Sequence, residues 1–143
     1  MPDLEQAARG RLKGPLIRLC ADQAQAICDQ FFETAKHREW LLLAASSMSN
    51  HFHAVLTVAG DPEPTKLLGD LKAYASRKLT TEWGRPESVT WWTQGGSKRK
   101  LPNVRAVRSA VRYTLNQIGM LARYAHPELP ADWIEYPERE FSG

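Results

Sequence analysis

The sequence predicts an α+β domain in which helices pack against one antiparallel sheet. Two observations predict it. Residues 21–36, 65–81 and 104–123 carry apolar side chains at helical spacing. Between the first two of these stretches lie two short apolar runs, "EWLLLAASS" and "HFHAVLTVA", joined by the turn "SMSN", which is the pattern of a hairpin.

Taken in order, residues 1–15 read as an irregular lead-in, and "PLIRL" fits a short strand. Helical spacing follows at Ala24, Ile27, Phe31 and Ala35, with Cys28 and Phe32 beside them. After the hairpin, "GDPEPT" is turn chemistry, with Pro62 and Pro64 suited to opening a helix. That helix points Leu67, Leu68, Leu71, Ala75 and Leu79 at a core. "SVTWWTQ" reads as a strand and "GGSKRKLPN" as a loop or tight hairpin. The last helix is expected over 104–123, and the tail 125–143, with Pro127, Pro130 and Pro137, is expected to be extended.

The 143 residues suit one domain with one core, taken as 1–143. No run approaches the ~20 apolar residues of a membrane span. The charged N-terminus lacks an apolar signal segment, and Cys20 and Cys28 lie near a single helix, where a disulfide is geometrically disfavoured; a reducing cytoplasm is the expected location. The formal charge is +3 and the pI about 9.0, with cations clustered in "GSKRK", "RKLTTEWGR" and "VRAVRSAVRY". A mild overall charge with local basic clusters suits a phosphate-backbone partner, although solvated helix faces explain any one cluster equally well.

The chemistry gathers in two places. In "HFHAVLTV", alternation sends Phe52, Ala54, Leu56 and Val58 to one face and His51 and His53 to the other. Two imidazoles on one face can bind one metal ion together, but His-x-His alone is a common pattern. In the last helix, Val104, Val107, Val111, Leu115, Ile118 and Ala122 form a narrow stripe. Tyr113 and Gln117 lie nearly opposite it, one turn apart, and Arg105, Arg108, Arg112 and Arg123 line a flank. A divalent ion on His51, His53 and the amide oxygen of Gln117 would polarise a phosphodiester, and Tyr113 would attack phosphorus. Trp83, Trp91 and Trp92 are open to two readings, stacking on unpaired bases or core packing. Tyr74 is a rival nucleophile on paper, but it sits at the edge of its helix's apolar stripe and reads as packing.

"NHFHAVL" resembles the HUH motif (His, hydrophobic, His) of the single-tyrosine transposases. "YTLNQ" resembles their nucleophile helix, "LKAYASRKL" their lysine-bearing helix, and "TWWTQGGSKRKL" the tryptophan-strand and basic-loop segment of the branch related to REP-associated tyrosine transposases. The resemblance spans about residues 14–124. It implies a ferredoxin-like HUH endonuclease domain that cleaves and rejoins single-stranded DNA at hairpin-bearing ends through a 5′-phosphotyrosine, using Mg²⁺ or Mn²⁺. Carried over by position, the metal ligands are His51, His53 and Gln117, and the nucleophile is Tyr113. The expected DNA-binding residues are Lys72, Arg77, Lys78, Lys98, Arg99, Lys100, Arg105, Arg108 and Arg112. Two layouts are open, a monomer and a homodimer whose sites are completed in trans by the partner's tyrosine helix. The branch's usual first strand, with its Gly-Thr-Trp-like loop, has no recognisable counterpart before Gly14. Three outcomes are open: the lead-in fills the gap, a second subunit fills it, or the chain is a shortened or domesticated relative that binds hairpin DNA without catalysis.

Overall fold

A computed structural model describes residues 3–11, 18–87, 90–92 and 98–136. The elements are β1 (Asp3–Arg11), α1 (Ala21–Arg38), β2 (Leu41–Ser47), β3 (His51–Ala59), α2 (Pro64–Trp83), β4 (Lys98–Leu101), α3 (Val104–Leu115), β5 (Ala122–Ala125) and α4 (Ala131–Ile134). These strands pair antiparallel in one sheet, in the order β4-β1-β3-β2-β5. The succession β1-α1-β2-β3-α2-β4 with β1 and β3 side by side at the centre is the ferredoxin-like arrangement. The segments α3, β5 and α4 are added after it.

The sheet is covered on both sides. On one face, Phe52, Leu56 and Val58 of β3 pack with Ile27 and Phe31 of α1 and with Leu67, Leu71 and Leu79 of α2. The rings of Phe31 and Phe52 meet edge-on, with centroids 4.8 Å apart. On the other face, Val55 of β3 and Ala44 of β2 pack with Val107, Val111 and Leu115 of α3 and Leu101 of β4. Each of these α3 side chains stabilises the docked helix by about 1.5–3 kcal/mol through burial. Cys28 lies inside the first core, where burial pushes its thiol up to about 12. Cys20 is exposed, and neither cysteine is in a disulfide.

Helix limits follow local chemistry. Pro64 opens α2, where a missing N–H costs no helical hydrogen bond. The Asn103 side chain caps α3 by accepting from the Ala106 N–H at 2.9 Å. α1 ends at Glu39, which adopts a left-handed conformation, φ 61°.

The structure corrects the sequence reading at four points. The irregular lead-in is in fact β1, paired along its whole length with β3 and over Glu5–Ala8 with β4. Of the three outcomes left open for the first strand, the lead-in fills the gap, and it occupies the sheet interior. The stretch around "SKRK", expected as a loop or tight hairpin, contains β4, an edge strand, whose solvent-facing side accommodates charge. The last helix stops at Leu115 instead of running to Arg123. Asn116 donates its side-chain amide to the carbonyls of Arg112 and Ile134, at 2.8 and 2.7 Å. Arg123 reaches back to the Leu115 carbonyl at 3.0 Å. Gly119, at φ 75°, then turns the chain into β5. Ile118, read as a stripe residue, is consequently 98% exposed. Finally, the tail expected to be extended contains the end of β5 and the short helix α4.

"PLIRL" falls mostly outside the described residues. Its last two, Arg18 and Leu19, are not in a strand, and the Leu19 N–H is held by the Ser49 carbonyl at 2.8 Å. The strand read in "SVTWWTQ" likewise lies largely outside them, and Thr90–Trp92 shows only an isolated bridge at Trp92.

If β1 is an interior strand, a proline at Ala7 strands a buried backbone partner. Ala7→Pro is expected to lower stability by about 1–3 kcal/mol, read from the midpoint of denaturant unfolding followed by circular dichroism. An unchanged midpoint would show that the lead-in contributes no strand.

Candidate active site between the sheet and α3

β3 starts at His51, directly after the hairpin turn, and its alternation puts His51, His53 and Val55 on the α3 side of the sheet. The turn is closed by the Met48 N–H on the His51 carbonyl at 2.8 Å. Its tip is tied to the chain before α1 by the Leu19–Ser49 bond. A rigid turn therefore fixes where the first histidine stands.

His53 is only 6% exposed, and His51 is half-buried. Their rings are nearly perpendicular, with centroids 5.3 Å apart. Nδ1 of His51 lies 2.6 Å from Oδ1 of Asn50. A carboxamide oxygen only accepts, so Nδ1 carries the proton and the lone pair of this imidazole sits on Nε2. That tautomer leaves Nε2 as the acceptor atom of the His51 ring.

Tyr113 comes from the last turn of α3. Its ring meets the His53 ring edge-on, with centroids 5.3 Å apart, and the residue is 52% exposed. A phenol therefore stands beside the histidine pair and open to solvent, all within one chain. Gln117 lies just beyond the helix. Its Nε2 donates to the Tyr113 carbonyl at 2.7 Å, which leaves Oε1 as the acceptor atom of that side chain. Among the described residues, no group of three or more His, Cys, Asp or Glu gathers in one place. A cation here would take two imidazoles and complete its shell with amide, phosphate or water oxygens. The paired imidazoles suit a divalent ion, and the Gln117 carboxamide is held on the Tyr113 carbonyl.

The basic residues are spread over three elements. On α2, Arg77 lies over the Tyr74 ring at 5.1 Å, and Lys78 pairs with Glu82 at 2.8 Å. Burial, followed by repulsion from Lys98, lowers the Lys72 ammonium below its ordinary value. Because α2 covers the other face of the sheet, these three lie away from Tyr113. Tyr74 shares that side, where its hydroxyl accepts from Arg38 at 3.3 Å. On β4, Lys98, Arg99 and Lys100 form the outer edge of the sheet, and Lys100 contacts Asp61. On α3, Arg105 is exposed, while Arg108 and Arg112 approach Asp132 of α4 at 4.0 and 3.7 Å. These partly exposed pairs are each worth less than about 1 kcal/mol. The apolar stripe, not the arginines, holds α3 in place.

Two tryptophans are packing residues. Trp91 is buried, with its indole N–H on the Thr80 hydroxyl at 3.0 Å, and Trp92 donates to the Lys72 carbonyl at 2.8 Å while touching Phe52. Trp83 remains exposed at the end of α2. The sequence reading missed Asn50. Its signal was available, since an asparagine in a hairpin turn directly precedes the first histidine.

The sheet thus carries a histidine pair on the second strand of a hairpin, with a solvent-open tyrosine on the helix above. The fold is shared with two solved structures. One is a REP-associated tyrosine transposase bound to a REP hairpin, with a TM-score of 0.62 and 16% identity, covering 80% of this chain and 66% of that one. The other is a candidate transposase from Deinococcus radiodurans R1, with a TM-score of 0.60 and 17% identity, covering 78% of this chain and 88% of that one. The chain thus spans just under two thirds of the first neighbour's length. No protein-family model and no curated protein matches the sequence.

The Asn50–His51 bond has a direct check. Imidazole nitrogen NMR should show His51 as the Nδ1–H tautomer, and Asn50→Ala should turn it into a mixture. The same variant is expected to weaken Mn²⁺ binding about 10- to 100-fold by calorimetry. Unaltered Mn²⁺ affinity would remove Asn50 from the site.

Proposed function

We propose that the chain is a transposase-type enzyme that cleaves and rejoins single-stranded DNA through Tyr113, with His51-Phe52-His53 as its HUH motif. The observation that carries this reading is the edge-on contact of Tyr113 with His53, next to His51, inside a single chain. The hairpin bound to the first structural neighbour supports DNA as the partner class. Among the described residues, no helix is long and apolar enough to cross a membrane.

In this mechanism Tyr113 approaches the scissile phosphate from solvent. Its oxygen bonds to phosphorus, the bond from phosphorus to the 3′ oxygen breaks, the phenolic proton leaves to solvent, and the departing oxygen takes up a proton. The ester conserves the energy of the phosphodiester, so a second 3′ end can reverse the step and be joined. A bound Mg²⁺ or Mn²⁺, held by His51, His53 and Gln117, would supply Lewis-acid polarisation of the phosphate. His51 is held in its ligating tautomer by Asn50. Gln117 is tied to the nucleophile's own carbonyl, so ligand and nucleophile are positioned together. Arg105 on the exposed side of α3, and Arg108 and Arg112 once drawn from Asp132, would hold flanking phosphates.

The binding-only alternative drew its support from an absent first strand. With β1 in the sheet, that support is gone. The presence of Tyr113 beside His53 in one chain also favours a site completed in cis over one completed by a partner's helix.

The test is an adduct assay with a labelled single-stranded hairpin oligonucleotide and Mn²⁺. Wild type is expected to give a slow band on a denaturing gel. Tyr113→Phe should lose that band and keep its shift on a native gel, and His51→Ala or His53→Ala should also lose it. An adduct persisting in Tyr113→Phe would sink the nucleophile assignment. A native shift with no adduct from wild type would return the binding-only reading.

A further inference from the structure

On the sheet face opposite Tyr113, an open cleft of about 270 Å³ lies between the last turns of α1 and the edge formed by β2 and β5. Its walls include Phe32, Lys36, Trp40, Leu41, Tyr124 and His126. Phe32 and Tyr124 sit with ring centroids 5.5 Å apart, tilted by 40°. Phe32 is 39% exposed and Leu41 is also open, so apolar surface faces solvent here. Lys36 is exposed at the rim, and no ion pair among the described residues engages it. Burial raises the Tyr124 phenol above its ordinary value, so it stays a neutral hydroxyl at the wall.

Three aromatic rings beside one uncommitted cation are complementary to a nucleotide, whose base offers a π-face and whose phosphate offers a negative charge. The volume is just below the ~300–1,000 Å³ range of small-ligand sites, which suits one base rather than a length of peptide. The position also fits. Arg123 and Tyr124 are neighbours on β5, the edge strand, and their side chains leave opposite faces. Arg123 is paired across the sheet with Ser46, and Ser46 with His53. The strand edge is thus two strand spacings, about 10 Å, from the histidine site. DNA leaving that site can pass Arg123, round the β5 edge, and reach the cleft beside Tyr124.

We propose that this cleft receives an unpaired base of the single strand held at Tyr113, stacked against Phe32, Trp40 or Tyr124 with its phosphate on Lys36. The proposal rests on the strand-transferase reading and assigns it a second point of contact, on the reverse face of the sheet.

Fluorescence anisotropy tests it with a labelled oligothymidylate and an equally long abasic oligonucleotide. Wild type is expected to prefer the oligothymidylate. Phe32→Ala should lower oligothymidylate affinity about tenfold and leave the abasic chain unchanged. Lys36→Ala, at an exposed position that folding does not depend on, should weaken both probes together. Thermal melts confirm that each variant is folded. If wild type prefers the base-bearing probe but both variants bind it as wild type does, the cleft is not a base site, and the strand-transferase reading stands. A wild type that shows no preference for bases also rules out a base site in the cleft and leaves that reading standing. If Phe32→Ala changes the sedimentation of the protein and not its oligonucleotide affinity, the cleft docks protein, and the proposal is overturned. If wild type binds neither probe and forms no adduct, the DNA reading itself fails and takes this one with it.

Discussion

The alternation of side chains along β3 is the constraint on which the rest depends. One face of this strand must fill the space under α1 and α2, and Phe52, Ala54, Leu56 and Val58 do so almost without residual exposure. The other face carries Val55 into a second core and, two residues earlier, His53 into the margin of that core. A slip of one residue in the pairing of β3 would exchange the two sets. Phenylalanine would then stand where the imidazoles are, and the imidazoles would be buried among leucines. The site and the core are specified by the same register, so the fold cannot be formed correctly with the site misplaced.

The second constraint is the end of α3. A helix leaves its last carbonyls without internal partners, and here side chains take them over. Asn116 serves the Arg112 carbonyl, Gln117 that of Tyr113, and Arg123 that of Leu115. Two of these residues also have a second attachment: Asn116 bonds to Ile134 of α4, and Arg123 belongs to β5. The helix end is therefore the joint at which Tyr113, Gln117 and the added strand β5 are fastened together. Apolar burial along Val107, Val111 and Leu115 supplies the energy that holds this joint against the sheet.

Much of this was visible in the sequence because it depends on periodicity. The β2–β3 hairpin, the core stripes of α1 and α2, and the opposite directions of Phe52 and His53 all follow from spacing. The misread parts depend on things that spacing does not carry. "DLEQAARGR" has few large apolar residues, and its place in the sheet is set by backbone bonds to β3 and β4, which leave no mark on composition. "KRKL" read as part of a loop or tight hairpin, because a four-residue edge strand that accepts charge has no apolar alternation to mark it. The stripe through Ile118 and Ala122 continued on paper because period reports which face is apolar and not where a helix stops. Within the site, the histidine pair and the tyrosine were legible. Their closeness in space was an inference that only the docking of α3 on the sheet makes visible.

The sheet has two outer strands, β4 and β5, and each is four residues long. Unpaired strand edges are templates on which other chains can add, and short or cationic edges resist this. Residues 98–100 at one edge are Lys, Arg and Lys, while the long strands β1 and β3 are enclosed at the centre. Two such edges facing each other would bring like charges together. Whatever these cations do for a phosphate backbone, they also keep one copy of the sheet from continuing into the next. A substitution that neutralised them would alter the solubility of the protein.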